Sequence, residues 1–166
     1  ALTENGIGTG LERVETLYAD LKPYFHFPNA VLALAQVLAL GEERPDIGSR
    51  VLKLRDALRS YGLRLDQAGT LAALGILALL PADETALAGR VRTADDDLRS
   101  RKGFSGWSVS RPERLLLAVS LAALEFTEAN DAWAPTLATR LIDIILAQQT
   151  AIAVTVAVTA ATSSSS

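Results

Sequence analysis

The sequence predicts an all-α fold of stacked helix-turn-helix repeats, an α-solenoid-like array of about three helix pairs closed by a long C-terminal apolar helix. Three observations predict it. The first is composition. Of the 166 residues 49% are apolar, yet aromatics reach only 5%. Ala and Leu dominate the apolar part, and neither is β-branched, so both lose little on entering a helix. The second is self-similarity. TLYADLK (16–22), KLRDALR (53–59) and TADDDLR (93–99) align without gaps at offsets of 37 and 40 residues, and each is followed by an Ala/Leu-rich decapeptide. A repeat of that period marks stacked helix pairs, each with an amphipathic helix A and a more apolar helix B. The third is periodicity. Val51, Leu54, Leu58 and Tyr61 recur at the spacing of one helical stripe, while Lys53, Arg55, Asp56 and Arg59 fall on other faces.

The first unit spans about residues 11–41, with PYFHFPN joining helix A to the helix B segment VLALAQVLAL. GEERPDIGS (41–49) then separates units one and two, with Ser49 as candidate N-cap. The second unit covers about 49–80. Its loop is YGLRLD, and its helix B is LAALGILALL, apolar all round as a helix packed between neighbours must be. Gly69 and Gly75, assigned to that helix, weaken it and point to close backbone approach. PADE (81–84) opens the third unit, about 84–126, with Asp83 as its expected cap. The loop RKGFSGWSVS ends in Ser110 and Glu113 at S-x-x-E spacing, with Pro112 in the first turn, which is a capping box opening a helix. Beyond the linker TEANDAWAP, an apolar segment of about 134–162 precedes a serine tail expected to be disordered. Val154, Val156 and Val158 alternate as in a strand, but the helical spacing of Leu141, Ile144, Ile145 and Ile152 decides for helix.

Several chemistries are excluded or disfavoured. With no cysteine there is no disulfide framework, thiolate nucleophile or Cys-ligated zinc. A net charge of −3 offers no global attraction to nucleic acid, and none is expected as a partner. A single histidine, His26, is a poor basis for a zinc site, so neither metal nor cofactor is expected. The start ALTENGIGTGLERV has no signal-peptide pattern, and with no methionine in the chain a processed or truncated piece of a longer protein is expected. Residues 141–161 could reach across a bilayer at about 1.5 Å per residue. However, Asp143, Gln148 and Gln149 interrupt them and no basic residue follows, so a core or interface helix is expected.

Four places merit weighing as sites. The stretch at 100–115 carries Arg101, Lys102, Arg111 and Arg114 around Phe104 and Trp107. It lacks the glycine spacing of a phosphate loop and follows no strand, so its aromatics are expected to plug the gap between helices rather than cradle an anion. PYFHFPN gathers Tyr24, Phe25, His26 and Phe27 at the equivalent place in the first unit, and a shared packing device is the favoured reading. The same edge is also a candidate recognition edge, because aromatics are enriched at binding hot spots. Asp95, Asp96 and Asp97 diverge around a helix and cannot converge on one ion. They are read as a solvated face, with Arg92–Asp96 and Asp96–Arg99 as local pairs. Asp143, inside an apolar run, needs a partner if buried, and Arg140 one turn earlier is the obvious one.

The stretches NAVLALAQVLALGEE, VLKLRDALRSYGL, LAALGILALLPAD, KGFSGWSVSRPERLLLA and LIDIILAQQTAIAVTVAVTAATSSSS occur in this order over residues 11–166. In them the chain resembles the C-terminal half of the bacterial proteins grouped as domain of unknown function four thousand and three. The resemblance implies an all-helical, intracellular protein about twice as long, with further repeats upstream whose absence would leave the first helix open to self-association. It implies no activity and no catalytic residues.

From the residues themselves, the expected function is a non-enzymatic, cytoplasmic protein or peptide interaction module. Tyr24, His26, Arg101, Trp107 and Arg111 would be the contacts on the intra-unit loop edge. The alternative, from a different class, is a small-molecule binding protein or enzyme with an inter-helix cavity lined by Arg140, Asp143, Gln148 and Gln149.

Overall fold

The computed structural model describes residues 4–102 and 109–129, with side chains over 8–102 and 109–126. Six α-helices occur among the described residues: α1 (Glu4–Leu21), α2 (Pro28–Ala39), α3 (Ile47–Ser60), α4 (Leu71–Leu79), α5 (Glu84–Ser100) and α6 (Arg111–Ala129). A 3-10 turn at Lys22–Tyr24 follows α1. No strand occurs among the described residues, so the all-helical expectation holds there. The chain divides into two units, Ala1–Ala123 and Leu124–Ser166. The expected C-terminal helix at about 134–162 and the serine tail lie outside the described residues.

In the first unit α1 packs on α2, α2 on α4, α3 on α4 and α3 on α5. The core is aliphatic. Residues Leu71 to Ala78 of α4 are all buried, as the unbroken apolar sequence of that helix requires. Val31, Leu34, Ala35 and Leu38 of α2 face it. The two backbones come close at Gly75, where an added Cβ would stand 2.8 Å from Leu34 Cδ1 and 3.2 Å from Val37 Cγ1. Close approach therefore explains this glycine. Gly69, by contrast, precedes α4 and lies in the turn that leads into it.

The helix ends divide into those set by local chemistry and those set by packing. Asp83 Oδ1 accepts from the amides of Thr85 (2.9 Å) and Ala86 (3.1 Å), capping α5 as expected. Asp83→Ala is expected to cost about 1 kcal/mol in urea unfolding; no loss would mean that water caps this exposed end equally well. The capping box of α6 also forms. Glu113 accepts from the Ser110 amide at 2.9 Å, while the Glu113 amide donates to Ser110 Oγ at 3.4 Å. Hydrogen bonds from the Ser110 hydroxyl and amide hold the Glu113 carboxyl below its ordinary pKa.

Ser49 is not the cap of α3. The helix starts at Ile47 with Asp46 at the N-cap, and the Arg50 amide already donates to Asp46 O at 2.9 Å. Burial of Ile47 draws this turn into the helix ahead of Ser49. At its other end α3 stops in a Schellman turn. Gly62 takes φ of +73°, its amide donates to Arg59 O, and the Leu63 amide donates to Leu58 O. Leu58 and Leu63 are both buried under that turn.

Candidate functional site

Two arginines, Arg13 midway along α1 and Arg50 in the first turn of α3, close the ends of α2 and α4. A helix C-terminus leaves its last carbonyls without intrahelical donors. Arg13 supplies donors to Leu38, Ala39, Gly41 and Glu42 O, the last two at 2.8 and 2.7 Å. Arg50, buried, donates from Nε to Ala78 O at 2.8 Å and from a terminal nitrogen to Leu80 O at 2.6 Å and to Ala82 O. Its other terminal nitrogen pairs with Glu84 at 2.9 Å. Arg13 and Arg50 stand 37 residues apart, the offset of the first two repeats, and Arg90 holds the third register position in α5.

Although α3 and α5 pack along one another, α1 and α3 touch only lightly. The space left between α1 and α3 is an open groove of about 940 Å³. Leu17, Leu21 and Ile47 form a buried apolar floor, and Leu52 stands half-buried beside them. Leu17 and Leu21 share one face of α1 at i,i+4 spacing, which is why both reach the floor. Asp20 and Tyr24 line the α1 side, and Lys53 and Asp56 the α3 side. Asp20 and Lys53 are exposed and make no ion pair among the described residues, whereas the Arg13 guanidinium is occupied by backbone carbonyls.

Of the expected contact residues, Tyr24, His26, Arg101 and Arg111 are described, and all four are exposed. Tyr24 is 54% exposed at the end of the groove, and His26, also exposed, stands just outside it. Arg101 is exposed at the end of α5, and Arg111, the first residue of α6, donates to Gly62 O at 2.7 Å. Trp107 and Phe104 lie outside the described residues, as do Arg140, Asp143, Gln148 and Gln149 and the segment weighed as a membrane span. No helix among the described residues is long and apolar enough to cross a membrane. No cluster of metal-ligating side chains occurs among them either.

One expectation is met in part and another needs correction. Of the first-loop aromatics expected to serve packing one does so, and the counterpart loop with Phe104 and Trp107 lies outside the described residues. Phe25 alone is buried, with the Arg55 guanidinium 5.7 Å from its ring centroid, while Tyr24 and Phe27 face solvent. The three lie within four residues between α1 and α2, and only Phe25 turns inward there. The aspartate run is not a uniformly solvated face. Arg92 and Asp96 do pair, at 2.7 Å, but Asp95 is buried and pairs with Arg114 of α6 at 2.8 Å. The stripe of Leu87, Val91, Ala94 and Leu98 carries Asp95 inward, and this spacing is the signal that would have found it.

A second buried carboxylate, Asp66, follows the Schellman turn. Burial pushes its carboxyl up, but hydrogen bonds from Arg59, Arg64 and Gln67 more than reverse this and hold it well below the usual carboxylate range.

In comparisons with known proteins, the model of the family described as "Protein of unknown function (DUF4003)" matches residues 1–151. No curated protein and no solved structure matches the chain.

Proposed function

We propose that this chain, which belongs to the DUF4003 family, is a non-enzymatic helical-repeat protein that binds a segment of a partner protein in the groove between α1 and α3. The groove carries the reading. Its volume of about 940 Å³ is ample, it lies open rather than enclosed, and it offers an apolar floor between charged walls. An apolar anchor with a few placed polar groups is the usual make-up of a recognition site. The single histidine stands outside it.

Repeat geometry belongs to the same reading. Pairing of α1 with α2 and of α3 with α4, stacking of α2 on α4 and of α3 on α5, and the arginines at a 37-residue offset all support stacked helix hairpins. In a uniform stack α1 would pack on α3 as α3 does on α5; the departure from that rule is the groove. Leu32 and Leu40 of the first unit are exposed, whereas Ala72 and Leu80, their register equivalents, are buried. That contrast supports an array able to accept another helix pair ahead of α2. The bacterial, cytoplasmic setting implied by the resemblance completes the proposal.

Peptide display against the purified chain tests the groove. Enriched peptides are expected to bind the wild type and to lose binding to Leu52→Arg, whose melting temperature stays close to the parent's. Peptides that bind both proteins alike, or no enrichment at all, would overturn the assignment.

A further inference from the structure

From Phe27 to Gly41 the chain has no charged residue. Helix α2 lies within this stretch. Its outward side is formed by Leu32, Gln36 and Leu40, all exposed, with Ala33 and Ala39 half-buried beside them. Leu40 is the C-cap but keeps helical angles (φ −76°, ψ −21°), so the four-residue spacing runs through it. Every other described helix with an exposed side carries charge there, such as Asp20 on α1, Lys53 on α3, Asp96 on α5 and Glu113 on α6. A helix side left in water is normally of that kind. At the places 40 residues on in α4, Ala72, Ile76 and Leu80 are all buried. The outward side of α2 therefore has the composition of a covered surface.

The order of its residues points to what covers it. LALAQVLAL (32–40) reads nearly alike in both directions: around Gln36, Leu34 matches Leu38, Ala33 matches Ala39 and Leu32 matches Leu40. Ala35 and Val37 break the match, and both are buried. The equivalent stretch of α4, AALGILALL (72–80), has no such symmetry. Two antiparallel copies of α2, related by a two-fold axis at Gln36, would set Leu32 of each against Leu40 of the other. The Gln36 amide holds both donors and an acceptor, so two of them satisfy each other across the axis, where a charged residue would meet its like. Leu32, Gln36 and Leu40 form an i±4 ridge, and such ridges pack side by side when two helices cross at about 50°. The small Ala33 and Ala39 leave room for the second ridge. Glu42 of each copy, exposed just past α2, would come to the N-terminal end of the other α2, where the helix dipole favours an anion. Arg13, which also reaches the end of α2, is spent on backbone carbonyls there.

We infer that this chain forms a two-fold dimer through the outward side of α2, with Gln36 on the axis. The helix pair that the open end of the stack accepts is then the first pair of a second copy. Leu32 and Leu40 stand about 12 Å apart along the helix, so the contact is small beside the roughly 800 Å² per partner of a standard interface. Association in the micromolar range is accordingly expected. None of Leu32, Ala33, Gln36, Ala39 and Leu40 lines the α1–α3 groove, and either assignment can fail without the other.

Sedimentation equilibrium of the whole chain tests this. The wild type is expected to pass from monomer to dimer, and no further, between about 1 and 200 µM. Gln36→Glu sets like charges on the axis and should weaken association by about tenfold or more. Gln36→Lys should do the same, and neither should change the circular dichroism. An equimolar mixture of the two variants should recover the dimer, because a two-fold contact brings position 36 against itself. A wild type that stays monomeric at the highest concentration would overturn the proposal, as would a dimer indifferent to Gln36→Glu or a mixture that does not recover. Growth beyond the dimer would also overturn it, since that marks a head-to-tail contact in which another helix pair covers α2.

Discussion

Arg50→Ala is expected to lower the unfolding free energy by about 3–5 kcal/mol, one of the two largest single-residue losses foreseen in this protein. Arg50 is 8% exposed and spends its guanidinium on three carbonyls and one carboxylate. Truncation leaves the end of α4 without donors in a site that water reaches poorly, and each orphaned buried acceptor costs about 1–3 kcal/mol, with less than full additivity. Arg50→Lys should recover only part of the loss, since one ammonium cannot fork to Ala78 and Leu80 together. Arg13→Ala should cost less, because that side chain is only half-buried and solvent can replace part of what it gives. Urea unfolding of the three variants checks the order. A loss below about 1 kcal/mol for Arg50→Ala would mean that solvent satisfies the end of α4 and that the guanidinium is incidental.

Asp95→Ala carries the second large effect, about 3 kcal/mol. The side chains of Asp95 and Arg114 are 6% and 11% exposed, so removing the carboxylate strands a nearly buried cation between α5 and α6. Replacing both partners together is a different matter. An ion pair taken out of water gains little net energy, and an apolar pair of similar volume often serves as well. Asp95→Leu/Arg114→Met should therefore recover most of what Asp95→Ala loses. A double-mutant cycle measures this coupling, and additive losses would show that the pair does not act as a unit.

Local features were readable because the signal and its consequence lie within one or two turns. Asp83 caps α5 by reaching amides two and three residues on. Ser110 and Glu113 close a box within one turn. Of the Val51, Leu54, Leu58 and Tyr61 stripe the first three are buried as the spacing requires, whereas Tyr61, just past the end of α3, is exposed. Gly75 was legible too, since a glycine within an apolar helix has few explanations other than close packing. Ser49 misled because burial of Ile47 starts the helix ahead of it, behind an Asp46 whose side chain makes no capping hydrogen bond. The functions of Arg13 and Arg50 were within reach of the repeat alignment, for they sit at equal offsets just ahead of the matched segments. Nothing local distinguishes them from surface arginines, though.

By itself, then, the sequence determined that the described chain is helical, roughly where its helices begin and end, and which family it belongs to. Those properties follow from propensity, capping and periodicity, which act between neighbours in the chain. Only the tertiary structure decided that Asp95 is buried, that Tyr24 and Phe27 face solvent, and that α1 stands off α3 to leave a groove. Each of these depends on how helices tens of residues apart come to rest against each other. Such placements arise from the summed packing of many side chains, and no short stretch of sequence carries them.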